Sequence, residues 1–149
     1  NILDARPAGP QNIAVIGLGT GALNCYWRDG RHFDFYEIDP DMVKMAENPD
    51  LFTYLSDCGS SYRTIVGDGR LEIAKADDGT YDAIIIDAFS SDNIPIHLLT
   101  REAMQVYMHK VKANGMIIFH ISNRYMDLEP QIAALTQDTR IPSLVRLAP

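Results

Sequence analysis

Short apolar runs alternate with stretches of helical periodicity along the whole chain. The run Ile13 to Ile16 has strand length and ends in Gly17, Gly19 and Gly21 on alternate positions. Ala22 and Leu23 then open a helix expected to reach about Arg28, and Asp29-Gly30 marks a turn. His32 to Ile38, rich in aromatics, reads as a second strand. Asp39 and Pro40 are a cap and first position for a helix that Pro49 ends. The stretch from Asp50 to Gly59 is ambiguous, with a helical turn and a loop as its reading. Tyr62 to Val66 reads as a third strand, closed by Gly67-Asp68-Gly69, and Arg70 to Ala76 as a helix with Leu71, Ile73 and Ala74 on its apolar face.

The most strand-like run, Tyr81 to Ile86, stops at Asp87. A loop follows, and Thr100 caps a helix expected to run to about Ala113. Met104, Tyr107, Met108 and Val111 lie on one side of it, and Asn114-Gly115 is its stop. Met116 to Ile121 reads as a fifth strand, Glu129 to Asp138 as a helix, and Ser143 to Leu147 as the start of a sixth strand. Strands that alternate with helices in this way imply right-handed βαβ units and a mostly parallel sheet covered on both faces. With no repeat and no linker, residues 1–149 read as a single α/β domain.

Bulk properties narrow the partners. A 46% apolar and 22% charged chain of 149 residues is an ordinary globular composition. No apolar run approaches the roughly 20 residues of a membrane helix, so no membrane contact is expected of this segment. The first ten residues lack a basic stretch followed by an apolar one, so no secretory leader is expected there. A net charge of −7 speaks against nucleic acid and suits a cationic ligand or plain solubility. Cys25 and Cys58 have neither metal nor redox spacing and are expected to be free thiols in a reducing, cytoplasmic setting. His32, His97, His109 and His120 are scattered, and no metal site is expected.

Candidate chemistry gathers at the strand ends. A strand running into a glycine turn lets a ligand approach bare backbone at the carboxyl edge of a parallel sheet. Gly17 suits the tight turn, Gly19 leaves room for the ligand, and Gly21 suits close packing of the following helix on the sheet. Glu37 stands 20 positions after Gly17, at the end of the second strand, where a carboxylate accepts from both hydroxyls of a ribose. The spacing from Gly17 to Ala22 also meets the dinucleotide fingerprint, so NAD is weighed against S-adenosyl ligands. Asp68, between two glycines after the third strand, favours the latter by offering a carboxylate to an adenine amine. A plain turn is its alternative. Asp87 at the sheet edge suits general-base work, and Asp92 in the following loop suits a shared cationic substrate; capping or a solvated loop are the alternatives. His120 and Asn123 follow the fifth strand at the same edge and are candidate lining residues of an acceptor pocket.

Together VIGLGTG, YEIDP, VGDGR and YDAIIIDAFSSD resemble the spermidine and spermine synthases, the polyamine aminopropyltransferases, over about residues 12–125. IDAFSSDNIPIHLLTREA and FHISNRY look especially like synthase-like domains fused to bacterial membrane transporter segments. The resemblance implies the class I S-adenosylmethionine-dependent methyltransferase fold, a three-layer Rossmann-like arrangement. It implies that Gly17, Gly19 and Gly21 face the adenosyl ligand and that Glu37 binds its ribose. Asp68 and Gly69 match the adenine-contacting segment, and Asp87 matches the aspartate that deprotonates the attacking amine. The implied donor is decarboxylated S-adenosylmethionine, and the implied acceptor a small cationic amine.

Two departures fall on the amine side. The family's glycine turn usually carries an aspartate where this chain has Thr20, a candidate substrate contact, and the family's D-S-S-D is two residues longer here, from Asp87 to Asp92. A methyltransferase using S-adenosylmethionine itself is therefore one alternative, and a non-catalytic nucleoside-binding domain another. The chain is also short at both ends relative to the family, as an excised domain would be. A missing seventh strand would leave the fifth with unpaired backbone, so either Ser143 to Leu147 is displaced or two chains pair there as a homodimer.

Overall fold

The computed structural model describes residues 2–5, 9–89, 94–121 and 127–145. Five parallel strands form one sheet: β1 (Gln11–Ile16), β2 (Arg31–Glu37), β3 (Tyr62–Val66), β4 (Tyr81–Ile86) and β5 (Val111–Phe119), in the order β3-β2-β1-β4-β5. The reversal of direction falls beside β1, where the chain leaves one half of the sheet for the other. Parallel pairing places all strand carboxyl ends on one edge, and there the crevice of such a sheet opens.

Helices cover both faces, because the strands are apolar on both. On one face Ile13, Val15, Phe33, Phe35, Ala83 and Ile85 pack with Val43 and Ala46 of α1 (Pro40–Ala46) and Leu55 of α2 (Tyr54–Asp57). On the other, Ala14, Ile16, Tyr36, Ile84 and Ile86 pack with Ile73 of α3 (Gly69–Ile73) and with Ala103 and Tyr107 of α4 (Arg101–Lys110). The last helix, α5 (Glu129–Thr139), is tied to α4 by Arg101, whose Nε and Nη2 meet the Asp138 carboxylate at 2.6 and 2.7 Å. Caps fall where the sequence places them: the Asp39 side chain accepts from Asp41 N–H and the Thr100 hydroxyl from Ala103 N–H.

Several expectations are corrected. The segment after the glycine turn is a 3₁₀ helix of five residues, Ala22–Tyr26, not a helix reaching Arg28. Its Asn24 is fully buried and donates to the carbonyls of Tyr54, Leu55 and Gly59, so local tertiary bonds replace continued helical ones. Leu71 and Ala74 are exposed, and α3 ends at Ile73, its buried apolar side chain. Helix α4 ends at Lys110 because Val111 turns extended and pairs with Tyr81. Asn114-Gly115 is therefore no helix stop: the β4–β5 register shifts between Tyr81 and Ala83, resuming at Met116. Gly115 sits there against the Asp82 carbonyl, which a Cβ would approach to 3.1 Å. Residues 143–145 are not a strand, and Leu144 is wholly exposed; Arg146 and Leu147 lie outside the described residues. Among the described residues β5 is thus an edge of the sheet.

The cysteines overturn their expectation. Cys25 and Cys58 form a disulfide, with Cα atoms 4.5 Å apart, and neither is a free thiol. Residues 33 apart carry no pairing signal in the sequence; the packing of the 3₁₀ helix beside α2 brings them together. The thiol argument for a reducing compartment falls with this bond. No helix among the described residues is long and apolar enough to cross a membrane.

A buried polar cluster underlies the β2 half of the sheet. The Asp34 carboxylate accepts from Arg63 Nε and Nη2 at 2.9 and 2.7 Å and from the Tyr81 hydroxyl at 2.8 Å, and His32 Nε2 lies 3.1 Å away. Burial alone pushes this carboxyl up, but the hydrogen bonds from Arg63 and Tyr81, the Arg63 charge and the His32 contact together hold it below its ordinary range. Tyr36 and Tyr81 share a 2.5 Å hydroxyl contact above it, and burial pushes both phenols up.

Candidate functional site

The carboxyl edge reads, across the sheet, as Asp68 after β3, Glu37 ending β2, Gly17 after β1, Asp87 after β4 and His120 after β5. Backbone bonds carry the ladder one step past the strand ends. Gly67 N–H donates to Glu37 O, Gly17 N–H to Tyr36 O, Asp87 N–H to Ile16 O and His120 N–H to Ile86 O, at 2.8 to 3.0 Å. The candidate side chains are therefore mounted at the hydrogen-bonded end of the sheet.

Gly17 has a φ of 102°, and a Cβ there would come within 2.5 Å of the Asp87 carbonyl oxygen. The glycine turn and the β4 end thus touch backbone to backbone, closer than any side chain permits. Gly21, at φ 82°, is also required, but by a different neighbour from the one expected: a Cβ would strike Leu55 of α2, not the sheet. Gly19 is exposed, and a Cβ on it would meet nothing within 4 Å, so the turn opens onto free space on that side. Thr20 beside it is half-buried. Gly69 packs α3 onto β1, since a Cβ there would lie 2.5 Å from Ile16 Cγ2.

The three acidic residues are held in different ways. Glu37 Oε2 accepts from Leu18 N–H and Oε1 from Asp39 N–H, both at 3.0 Å, which clamps the carboxylate between the glycine turn and the α1 cap. A carboxylate has about four lone-pair sites, so two remain for ligand hydroxyls. Asp68 caps α3: Oδ1 accepts from Arg70 and Leu71 N–H at 3.0 and 3.1 Å. Its Oδ2 meets His97 Nε2 at 3.0 Å, and the Arg70 guanidinium reaches the His97 carbonyl. Asp87 Oδ1 lies 2.6 Å from His120 Nδ1, and the Phe89 ring stands nearly perpendicular to the imidazole with centroids 5.0 Å apart. Asp92 and Asn123 lie outside the described residues.

Sequence reasoning missed His97 as the partner of Asp68 and Phe89 as the neighbour of His120. Both contacts join segments far apart in the chain, and no local spacing announces them.

No family model matches the chain. A polyamine aminopropyltransferase of Vibrio vulnificus (strain CMCP6) is 32% identical over 114 residues, 73% of this chain. The chain is a relative of the polyamine aminopropyltransferases. It spans only 37% of that relative's length. Solved structures agree on the fold. A spermidine synthase from Thermotoga maritima superposes with a TM-score of 0.65 at 20% identity, over 85% of this chain and 45% of its own. A spermidine synthase in complex with the transition state analogue AdoDATO gives 0.67 at 19% identity, over 85% and 46%. Human methyltransferase-like protein 13, in complex with SAH, gives 0.69 at 22%, over 87% and 62%. The expected fold, the S-adenosylmethionine-dependent methyltransferase fold shared by aminopropyltransferases, is the one observed.

Proposed function

We propose that the chain carries the donor site and part of the acceptor site of an aminopropyltransferase that moves an aminopropyl group from decarboxylated S-adenosylmethionine to a small amine, a step of polyamine biosynthesis. The observation that carries this reading is the clamped Glu37 carboxylate beside the open glycine turn, in a relative of known aminopropyltransferases. The ribose hydroxyls donate to the free lone pairs of Glu37, and Gly17, Gly19 and Gly21 lie under the adenosyl group. The adenine amine approaches Asp68 and the backbone of Gly69, sharing Oδ2 with His97. The sulfonium end points across β1 toward Asp87. The acceptor amine loses a proton on that side and attacks the aminopropyl carbon, leaving methylthioadenosine. Thr20, Asp92 and Asn123 complete the acceptor side.

Acidic residues on both sides favour a cationic donor and a cationic acceptor. Most of the rate comes from orientation, about 7–11 kcal/mol in well-aligned systems. The edge position of β5 supports pairing of two copies there, which sedimentation checks. Thr20, neutral where an acid is usual, favours a second reading: methyl transfer from S-adenosylmethionine, whose donor tail keeps its carboxylate. Calorimetry with both donors tests the choice. Tighter binding of the decarboxylated donor, with transfer to an aliphatic diamine, supports the proposal. Tighter binding of the carboxylated donor supports methyl transfer, and binding without any transfer leaves a nucleoside-binding module.

A further inference from the structure

Asp87 and His120 stand side by side because Ile86 and Phe119 are register partners in the β4–β5 ladder, and each residue follows its strand directly. Backbone bonds to Ile16 and Ile86 fix both positions, so the 2.6 Å contact joins two anchored groups. An ionised carboxylate only accepts hydrogen bonds, so Nδ1 of His120 must be the donor. In the neutral ring the proton then sits on Nδ1 and the lone pair on Nε2. The imidazole is about half exposed at the sheet edge, while Asp87 is more covered, at 51% and 30% of side-chain surface respectively. The Phe89 ring makes an edge-to-face contact with the imidazole.

From this geometry we infer that His120 Nε2 is the base that deprotonates the acceptor amine, with Asp87 as the positioning residue that fixes its tautomer. The inference rests on the aminopropyl-transfer reading and divides its proton-transfer step between two residues. The acceptor arrives as an ammonium. Nε2 takes one proton and becomes imidazolium, its charge balanced by the Asp87 carboxylate at Nδ1. The freed nitrogen lone pair attacks the aminopropyl carbon; a C–N bond forms, the C–S bond breaks, and its electron pair returns to sulfur as a neutral thioether. The product nitrogen stays a secondary ammonium, and His120 returns its proton to water. Asp87 Oδ1 is taken up by Nδ1–H and the carboxylate is the more covered of the two, so the Nε2 lone pair is the proton acceptor that the geometry presents.

The test compares wild type, His120→Gln, His120→Ala and Asp87→Asn, each first shown to bind methylthioadenosine normally. Single-turnover transfer to an aliphatic diamine is expected to fall about 10²–10⁴-fold in both His120 variants. Added imidazole should restore His120→Ala but not His120→Gln, whose side chain occupies the vacated space. Nitrogen NMR should show neutral His120 as the Nδ1–H tautomer, lost in Asp87→Asn. Transfer undiminished in His120→Ala, a loss that imidazole leaves untouched, or an Nε2–H tautomer each overturns the inference while the aminopropyl reading stands. Absence of transfer in wild type overturns both.

Discussion

The two halves of the carboxyl edge hold their acids by different means. On the β2–β3 side, backbone N–H groups grip the carboxylates, Leu18 and Asp39 on Glu37 and Arg70 and Leu71 on Asp68, whose second oxygen also meets His97. On the β4–β5 side, a titratable side chain, His120, meets Asp87. Backbone donors cannot release a proton at working pH, so Glu37 and the capped oxygen of Asp68 form a fixed cradle suited to binding. In the second half Asp87 is gripped by an imidazole and not by backbone amides, which suits that side to chemistry. Gly17 is the hinge between them, its backbone against that of Asp87.

Substitutions break or sharpen this contrast. The largest effect belongs to Asp87→Asn: turnover should fall about 10²–10⁴-fold, with methylthioadenosine affinity in calorimetry unchanged. An equal loss of nucleoside affinity would erase the distinction between the halves. Next comes Asp34→Asn, beneath the binding half. Removing the buried partner of a pair whose Arg63 is exposed should cost about 2–4 kcal/mol in urea unfolding at pH 7, the buried-pair range discounted for solvent at Arg63. Because the Asp34 carboxyl is held below its ordinary range, its contribution is present in full above that range and is lost as pH falls through the lowered value. The variant should therefore lose less stability than wild type as pH falls from about 5 through the lowered carboxyl range.

The double substitution Cys25→Ser, Cys58→Ser should lower stability by about 3–4 kcal/mol for a loop of this length, read by thermal unfolding. Its disulfide backs the glycine turn, so nucleoside binding should weaken more than the Asp87–His120 contact. Glu37→Gln should weaken methylthioadenosine binding about tenfold to a hundredfold, in line with about 1.5–3 kcal/mol for a hydrogen bond to a charged group. The smallest effect is expected from Thr20→Asp, an improvement of about two- to fivefold in amine KM, worth under about 1 kcal/mol at a half-exposed position. A weaker amine KM in that variant would remove Thr20 from the acceptor side.

The strands were legible because a buried parallel strand is a continuous apolar run ended by glycine or an acid. Tyr81–Ile86, buried throughout, has the bounds this pattern predicts, whereas Tyr62–Val66 is only partly buried, holds Arg63 and Thr64, and was legible from its β-branched residues and the closing Gly67. Elements that depend on neighbours were not legible: Val111 leaves α4 because Tyr81 is there to pair with it, and the segment after Gly21 stays 3₁₀ while Asn24 bonds to the α2 region. Glu37, Asp68 and Asp87 could be picked out as strand-end acids, but their partners could not. His97, His120, Phe89 and the Cys25–Cys58 bond come from segments remote in the chain.

By itself the sequence determined the α/β class, the glycine turn and the acids at the strand ends, since each follows from residue type and local spacing. The tertiary structure decided what each acid touches. Strand order and register choose the neighbours, and they set Asp87 against an imidazole and Glu37 against backbone amides. Local sequence encodes which backbone shape a segment adopts; only packing across the sheet brings a proton carrier to one acid and withholds it from another.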